Sequence, residues 1–208
     1  MNNKTLTSII MCEYNTPDEQ LKLSIESMLN QTYKNFEFII IDDKSSRDIS
    51  SIINSYNDER IKLYYNDYNM GLENSLNKAI GLCNGEYIIR MDTDDISYPN
   101  RIEKQVNFIK QNPEYSIICG RVEIFDNDGV YSVSKVKGEM YKKDLIKGTP
   151  FIHPTMLINK KHLVQVGGYP LYRRCEDYAM AMKMYANGFK GYIMDDILLK
   201  YRMDKNRV

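Results

Sequence analysis

Several familiar chemical devices are missing from this chain of 208 residues. It has no GxGxxG run, which argues against a dinucleotide-binding fingerprint, and no Walker A sequence, which argues against a P-loop. No GxSxG elbow presents a nucleophilic serine. The two histidines, His153 and His162, lack zinc-ligand spacing. The four cysteines, Cys12, Cys83, Cys119 and Cys175, form no CxxC pair. Three of them sit in apolar or strand-like surroundings, as reduced thiols of the cytosol do. No apolar run approaches the length of a membrane span, and no signal-peptide pattern opens the chain. Lys plus Arg number 28 and Asp plus Glu 28, so the overall basic excess of a nucleic-acid binder is absent and no nucleic-acid partner is expected. Gly and Pro are sparse, at 11 and 6, and no low-complexity linker or internal repeat divides the chain. One globular domain is therefore expected.

What is present is an alternation of strands and helices. Leu6 to Cys12 is a short apolar run, read as a strand. Thr16-Pro17-Asp18-Glu19 then predicts a helix start, with Thr16 as cap, Pro17 at the first helical position and Glu19 completing a capping box. Leu21, Ile25, Met28 and Leu29 supply its apolar face. Phe36 to Ile41 and Ile61 to Tyr65 read as strands, with a helix around Ile49, Ile52 and Ile53 between them. Leu72, Leu76, Ala79 and Ile80 mark another amphipathic helix, Tyr87 to Met91 a fourth strand, and Pro99 opens a helix that Asn112-Pro113 ends. Such alternation implies βαβ units and a mostly parallel sheet. Beyond residue 115 the pattern loosens. Ser116 to Cys119, Val122 to Phe125, Thr155 to Ile158 and Ile197 to Tyr201 read as strands. Tyr141 to Lys147 and Asp177 to Asn187 read as helices, the last stopped by Gly188.

The chemistry on offer is acidic. An apolar strand runs directly into Asp92, Asp94 and Asp95. Carboxylates crowded at a strand end repel one another unless a hard cation neutralises them, and oxygen ligands suit Mg²⁺ or Mn²⁺. In open α/β sheets ligands bind outside the carboxyl ends of strands. The alternative is an Asp-rich turn before a helix. Asp42-Asp43 closes the second strand, where it can hold a ribose or base edge or simply cap a turn. Glu176-Asp177 precedes the last helix, where two acids also suit the helix dipole. Met180, Met182 and Met184 in that helix read as core or interface filler.

Taken in order, these pieces resemble glycosyltransferase family 2, the inverting enzymes of the GT-A fold. Ser8-Ile-Ile-Met-Cys-Glu-Tyr-Asn15 is similar to its opening strand and turn. Phe38-Ile-Ile-Ile-Asp-Asp-Lys-Ser-Ser46 is similar to its VDDGSTD segment, with Lys44 where the family often has Gly. Asn69-Met-Gly-Leu72 with Leu76-Asn-Lys-Ala-Ile80 resembles its NxGLxxxLNxAI helix. Arg90-Met-Asp-Thr-Asp-Asp95 resembles its DXD region, followed by Pro99-Asn-Arg-Ile-Glu-Lys-Gln105. His153-Pro-Thr155, Gly167-Gly-Tyr169, Glu176-Asp177 and Tyr201-Arg202 follow in family order, so the resemblance spans residues 6–202.

The resemblance implies an α/β fold: a Rossmann-like, mostly parallel central sheet flanked by helices, with a smaller mixed acceptor-side region. Residues 1–115 would form the nucleotide-sugar half of a single domain and 116–208 the acceptor half. It assigns donor binding to Glu13, Tyr14, Asn15, Asp42, Asp43, Asn69, Gly71, Arg90, Asp92 and Thr93, and the cation, Mn²⁺ or Mg²⁺, to Asp92, Asp94, Asp95 and His153. His153 reads equally as a buried structural histidine, and Tyr201-Arg202 either reaches the diphosphate or closes the sheet. Asp177 is the expected general base, with Glu176 as its helper. The donor is expected to be a UDP-sugar and the acceptor a saccharide or lipid-linked saccharide of a bacterial surface polysaccharide. Relatives often continue past the Tyr-Arg motif into a part that shapes the acceptor site. The expected setting is the cytosol, with peripheral association to the inner face of the membrane or to a partner protein. A sugar-1-phosphate nucleotidyltransferase would need a Gly-rich basic first turn, where this chain has Glu13-Tyr-Asn-Thr16. A non-catalytic sugar-nucleotide-binding module is the reading from a different class, and the intact acids argue against it.

Overall fold

The computed structural model describes residues 5–203. The first half alternates as the sequence predicts: β1 (Thr7–Glu13), α1 (Asp18–Leu29), β2 (Phe36–Asp42), α2 (Ser50–Ser55), β3 (Ile61–Tyr65), α3 (Leu72–Leu82), β4 (Tyr87–Arg90), a short β5 (Ile96–Ser97) and α4 (Arg101–Gln111). The second half carries β6 (Tyr115–Asp126), β7 (Gly129–Val133), β8 (Gly138–Met140), β9 (Leu157–Asn159), α5 (Lys160–Gln165), α6 (Glu176–Ala186) and β10 (Lys190–Arg202). All ten strands join one sheet, whose main path runs β3-β2-β1-β4-β9-β6-β10-β5, with β7 added to β6 and β8 to β10. The parallel pairings are β2–β3, β1–β2, β1–β4 and β6–β10, and they include the longest, β6–β10 and β1–β2. The antiparallel pairings all involve strands of the second half.

The central strands read as unbroken apolar runs because both faces are covered. Successive side chains point to opposite faces, so each strand feeds two cores. Ile9, Met11, Phe38, Ile40 and Ile89 pack on one face against Leu21, Ile25 and Met28 of α1, Ile52 and Ile53 of α2, and Ile102, Val106 and Ile109 of α4. Ile10, Ile39, Ile41 and Ile88 pack on the other against Leu76, Ala79 and Ile80 of α3 and Met180, Ala181 and Met184 of α6. Each such side chain contributes about 1.5–3 kcal/mol when fully buried. Met182 points outward instead, so two of the three α6 methionines are core filler. Both cores draw on residues either side of 115, and β9 pairs with β4, so the sheet runs unbroken between the halves.

Four local expectations are corrected. Ser116–Cys119 and Val122–Phe125 are one continuous strand. Gly120 between them is a point of close approach, where an added Cβ would lie 2.3 Å from Leu198 Cδ1. Residues 141–147 form a 3-10 turn, Lys142–Lys147, and the strand expected from Thr155 begins only at Leu157, after a second 3-10 turn over His153–Thr155. Thr16 does not cap α1: Pro17 occupies the cap position and no side chain closes the helix end. Among the described residues no helix is long and apolar enough to cross a membrane.

Candidate active site

Parallel pairing brings the carboxyl ends of β1, β2 and β4 to one edge of the sheet, in a register that sets Glu13 beside Asp42. The strand-two acids then separate. The Asp42 carboxylate accepts the Ser45 N–H at 2.9 Å and lines a depression shared with Lys44, Asp48 and Asp67. Lys44 holds the turn at φ 66°, the left-handed conformation that glycine adopts freely. Asp43 faces the other way. Its Oδ1 accepts from Asn66 Nδ2 at 2.6 Å and Met70 N at 2.8 Å, and its Oδ2 from Gly71 N at 2.9 Å. Asp43 therefore fixes the loop carrying Asn69 and Gly71. Gly71, at φ 85°, opens α3 in a conformation that a side chain would strain. The expected acidic pair does not work as a pair.

The turn after β1 is tied down by its own polar groups. Glu13 is fully buried, and its Oε1 accepts from Thr16 N at 2.9 Å and from Arg47 Nη1 at 3.1 Å. Asn15, at φ 57°, accepts the Ser46 N–H and hydroxyl at 2.8 Å each, joining the first two strand ends. The Thr16 and Thr93 hydroxyls meet at 2.6 Å, which latches this turn to the end of β4. Glu13, Asn15 and Thr93 thus all help to shape this turn, and Glu13, whose buried Oε2 has no partner, also lines the cleft. Tyr14 is about half exposed and lines the cleft.

Arg90 is buried beneath the cleft. Its guanidinium pairs with the Asp92 carboxylate and donates to the Met91 carbonyl. Arg101, also buried, donates to the Arg90 carbonyl at 2.8 Å, and burial lowers its pKa to about 10. Asp92 and Asp94 are half-buried at the cleft, but Asp95 turns into the protein. There its Oδ1 accepts the Arg202 N–H at 2.8 Å, while Oδ2 has no partner. Burial first, and then the neighbouring Asp92, push its pKa well up. Arg202 donates to the Asp94 carbonyl at 3.1 Å and stacks on Phe125, so it closes the sheet. His153 Nε2 meets the Tyr169 hydroxyl at 2.9 Å, and burial, followed by the Arg90 charge, pushes its pKa well below the usual histidine range. Among the described residues no three acidic, imidazole or thiol groups stand together to hold a metal ion. The expected four-residue ligand set is thus not assembled: Asp95 serves a backbone amide and His153 serves Tyr169. The carboxylates that remain for a hard cation are Asp92, which lines the cleft and pairs with Arg90, and the half-buried Asp94. Mg²⁺-type sites commonly use one or two carboxylates and take the remaining oxygens from substrate phosphates.

Glu176 and Asp177 open α6. Asp177 Oδ1 accepts the Tyr178 N–H at 2.7 Å. Burial nevertheless raises the pKa of both acids, with backbone hydrogen bonds and then the Arg90 charge opposing it at Asp177. A lobe of about 500 Å³ brings Asp177 together with Arg90, Asp92, His153 and Tyr201. A second lobe of about 450 Å³ is lined by Tyr14, Asp43, Asn69 and Gly71 together with Arg173. Leu72, Arg174 and Glu176 line both, so the two lobes adjoin. Sequence reading missed Arg173 and Arg174. Their signal was two adjacent cations immediately upstream of the acids, and Arg174 sits at φ 67° at the junction of the lobes.

Comparison with known proteins gives the family and the fold. The family model for Glycosyl transferase family 2 matches residues 8–174. An uncharacterized glycosyltransferase, MJ1057 of Methanocaldococcus jannaschii, is 35% identical over 97% of this chain and 72% of its own. The UDP-Gal:alpha-D-GlcNAc-diphosphoundecaprenol beta-1,3-galactosyltransferase of Escherichia coli is 32% identical over 95% of this chain and 74% of its own. The crystal structure of Staphylococcus aureus TarS 1-349 in complex with UDP-GlcNAc superposes with a TM-score of 0.80 at 19% identity. That match covers 97% of this chain and 59% of TarS 1-349, and shows the shared fold. The chain belongs to glycosyl transferase family 2.

Proposed function

Proceeding from that family membership, we propose that this protein transfers a sugar, with inversion, from a UDP-sugar to a hydroxyl of a saccharide or lipid-linked saccharide in bacterial surface-polysaccharide synthesis. The observation that carries the reading is Asp177, a carboxylate of raised pKa in the lobe that adjoins the Tyr14–Asp43 lobe. A base poised in this way takes the proton of the acceptor hydroxyl as its oxygen attacks the anomeric carbon. The new C–O bond forms as the bond to the diphosphate oxygen breaks on the opposite face, and the nucleoside diphosphate leaves with the electron pair. One displacement inverts the anomeric centre and needs no enzyme nucleophile, in keeping with a site that lacks an activated serine or cysteine. Burial pushes the Cys12 thiol up to about 12, far from nucleophilic.

Tyr14 covers the base, Asp43 and the Asn69–Gly71 loop bound its edge, and Asp92 meets the ribose. Arg173 and Arg174 draw the diphosphate to the junction of the lobes, and Glu176 helps to position the base. A divalent cation at Asp92 and Asp94 would neutralise charge on the leaving diphosphate. The UDP assignment is supported by the TarS complex and the E. coli relative's printed donor, and the lipid-linked acceptor by that relative's name. Titration of UDP and GDP by calorimetry with Mn²⁺ present, followed by UDP-release assays across a panel of UDP-sugars, tests it. UDP is expected to bind more tightly than GDP, because a purine would force the Tyr14 turn open. Equal or tighter GDP binding overturns the UDP assignment. Binding without any turnover, across donors and acceptors, overturns the transferase assignment in favour of a binding module.

A further inference from the structure

Three of the four most exposed large apolar side chains among the described residues belong to two neighbouring segments: Ile146 at 79%, Leu171 at 64% and Tyr172 at 62%. Ile146 lies on the 3-10 turn Lys142–Lys147, and Leu171 and Tyr172 on the loop that leads into α6. The Tyr178 hydroxyl of α6 donates to the Leu145 carbonyl at 2.9 Å, which ties the turn to the helix that the second segment leads into. Leu145 is fully buried, so the turn is anchored from beneath while Ile146 is held outward.

The same segments concentrate cations. Lys142, Lys143, Arg173 and Arg174 are all exposed. In a chain whose acids and bases balance at 28 each, this is a local excess. Asp144 is the exposed acid among them, and its carboxylate accepts the Tyr141 N–H at 2.8 Å. Both segments also border the catalytic cleft. The first runs on into Phe151 and Ile152 of the Asp177 lobe, and Arg174 lines both lobes. Apolar tips flanked by lysine and arginine are complementary to the interface of an anionic bilayer, where apolar insertion and headgroup attraction act together.

We propose that this rim is a membrane-docking surface: Ile146, Leu171 and Tyr172 enter the headgroup–acyl boundary of an anionic bilayer while Lys142 and Lys143 face its lipid phosphates. Its purpose rests on the lipid-linked acceptor proposed above, since docking here would set the cleft mouth at the depth where a membrane-anchored diphosphosugar emerges.

The test is co-sedimentation of the full chain with vesicles of phosphatidylcholine plus phosphatidylglycerol, and with vesicles of phosphatidylcholine alone. The native protein is expected to bind the anionic vesicles. Binding should fall about tenfold or more in Ile146→Ser/Leu171→Ser/Tyr172→Ser. It should fall several-fold in Lys142→Gln/Lys143→Gln, or when salt rises from about 0.1 M to about 1 M and the Debye length shrinks from about 10 to about 3 Å. Melting temperature and UDP affinity, measured alongside, should stay at native values in both variants. Absence of native binding to anionic vesicles overturns the proposal, and so does native-level binding by the triple variant. A native self-association that the triple variant abolishes also overturns it and makes the surface a protein interface. Failure of the native protein to bind UDP would sink the donor reading while leaving the vesicle result to stand or fall by itself.

Discussion

Asp43 and Asp177 stand at the same edge of one sheet and do opposite work. In the donor lobe Asp43 is saturated by three N–H donors of its own chain, from Asn66, Met70 and Gly71. Its neighbours are tied into the same network, Glu13 through Oε1 to Arg47 and Thr16, Asn15 to Ser46, and Thr93 to Thr16, although the buried Glu13 Oε2 has no partner. In the second lobe Asp177 accepts from the backbone of its own helix start, at Tyr178 and at Asp177 itself, and burial still leaves its pKa raised. A carboxylate whose lone pairs are filled by fixed donors holds a loop in shape. One left undersatisfied in a half-buried site retains basicity for a proton. On the function proposed above, the two regions divide the labour of one cleft: fixed shape on the nucleotide side, and reactivity where the acceptor arrives.

The same substitution in each region separates these roles most sharply. Asp177→Asn is expected to lower turnover by roughly 10²–10⁴-fold, the usual cost of removing a positioned base. UDP affinity and melting temperature should be nearly unchanged. The pH dependence has a definite sign. Because the folded pKa of Asp177 is raised, the native rate should already be falling at a pH above the ordinary aspartate value of 3.8, and the carboxylate favours folding only in its protonated form. At pH 7 the asparagine variant should therefore melt no lower than native. A large drop in melting temperature would show that Asp177 is a helix cap and erase the contrast.

Asp43→Asn is the converse. It removes a charged acceptor shared by three donors and swaps one oxygen for a donor facing the loop amides. A loss of about 2–3 kcal/mol in unfolding free energy is expected, read from urea denaturation. A variant as stable as native would mean that the donor side is not held by this carboxylate. Asp94→Asn comes next. The Mn²⁺-dependent gain in UDP affinity should fall by more than about tenfold, since even outer-shell changes at metal sites cost about that much. UDP binding and turnover that are unaffected by EDTA would remove the cation from the mechanism. The smallest effect is expected from Thr16→Val, which breaks the hydroxyl pair to Thr93 at a cost of about 1 kcal/mol. It should loosen the contact between the β1 turn and the end of β4, and be visible as faster amide exchange there. Unaltered exchange would show that the latch is incidental.

The first half of the chain was legible because its rules are local. Apolar runs in β1, β2 and β4 matched strands buried on both faces, and Leu72, Leu76, Ala79 and Ile80 matched the helix they predicted. The second half was less so. Gly120 reads as a break but lies within a continuous strand, because the reason for a glycine there is Leu198, 78 residues away. β7, β8 and α5 carry no strong periodicity of their own and form by pairing or packing on elements already in place. At the site, sequence supplied the acids and their order, but not which way each would turn. Asp95 stands next to Asp94 in the chain, and only the arrival of β10 turns it inward to meet the Arg202 amide.

The sequence by itself determined the family, the order of strands and helices, and the set of residues able to do chemistry at the carboxyl ends of the strands. These follow from short-range periodicity and from motifs that keep their spacing. Tertiary structure alone decided which of those residues were spent on shape and which were left reactive. That choice depends on whether a partner from a distant segment fills a carboxylate's lone pairs: Asn66 and Met70 do so for Asp43, and for Asp177 only the adjacent backbone does. Burial then sets the affinity of the unfilled group for a proton, and burial is a property of the packed chain, not of any stretch of it.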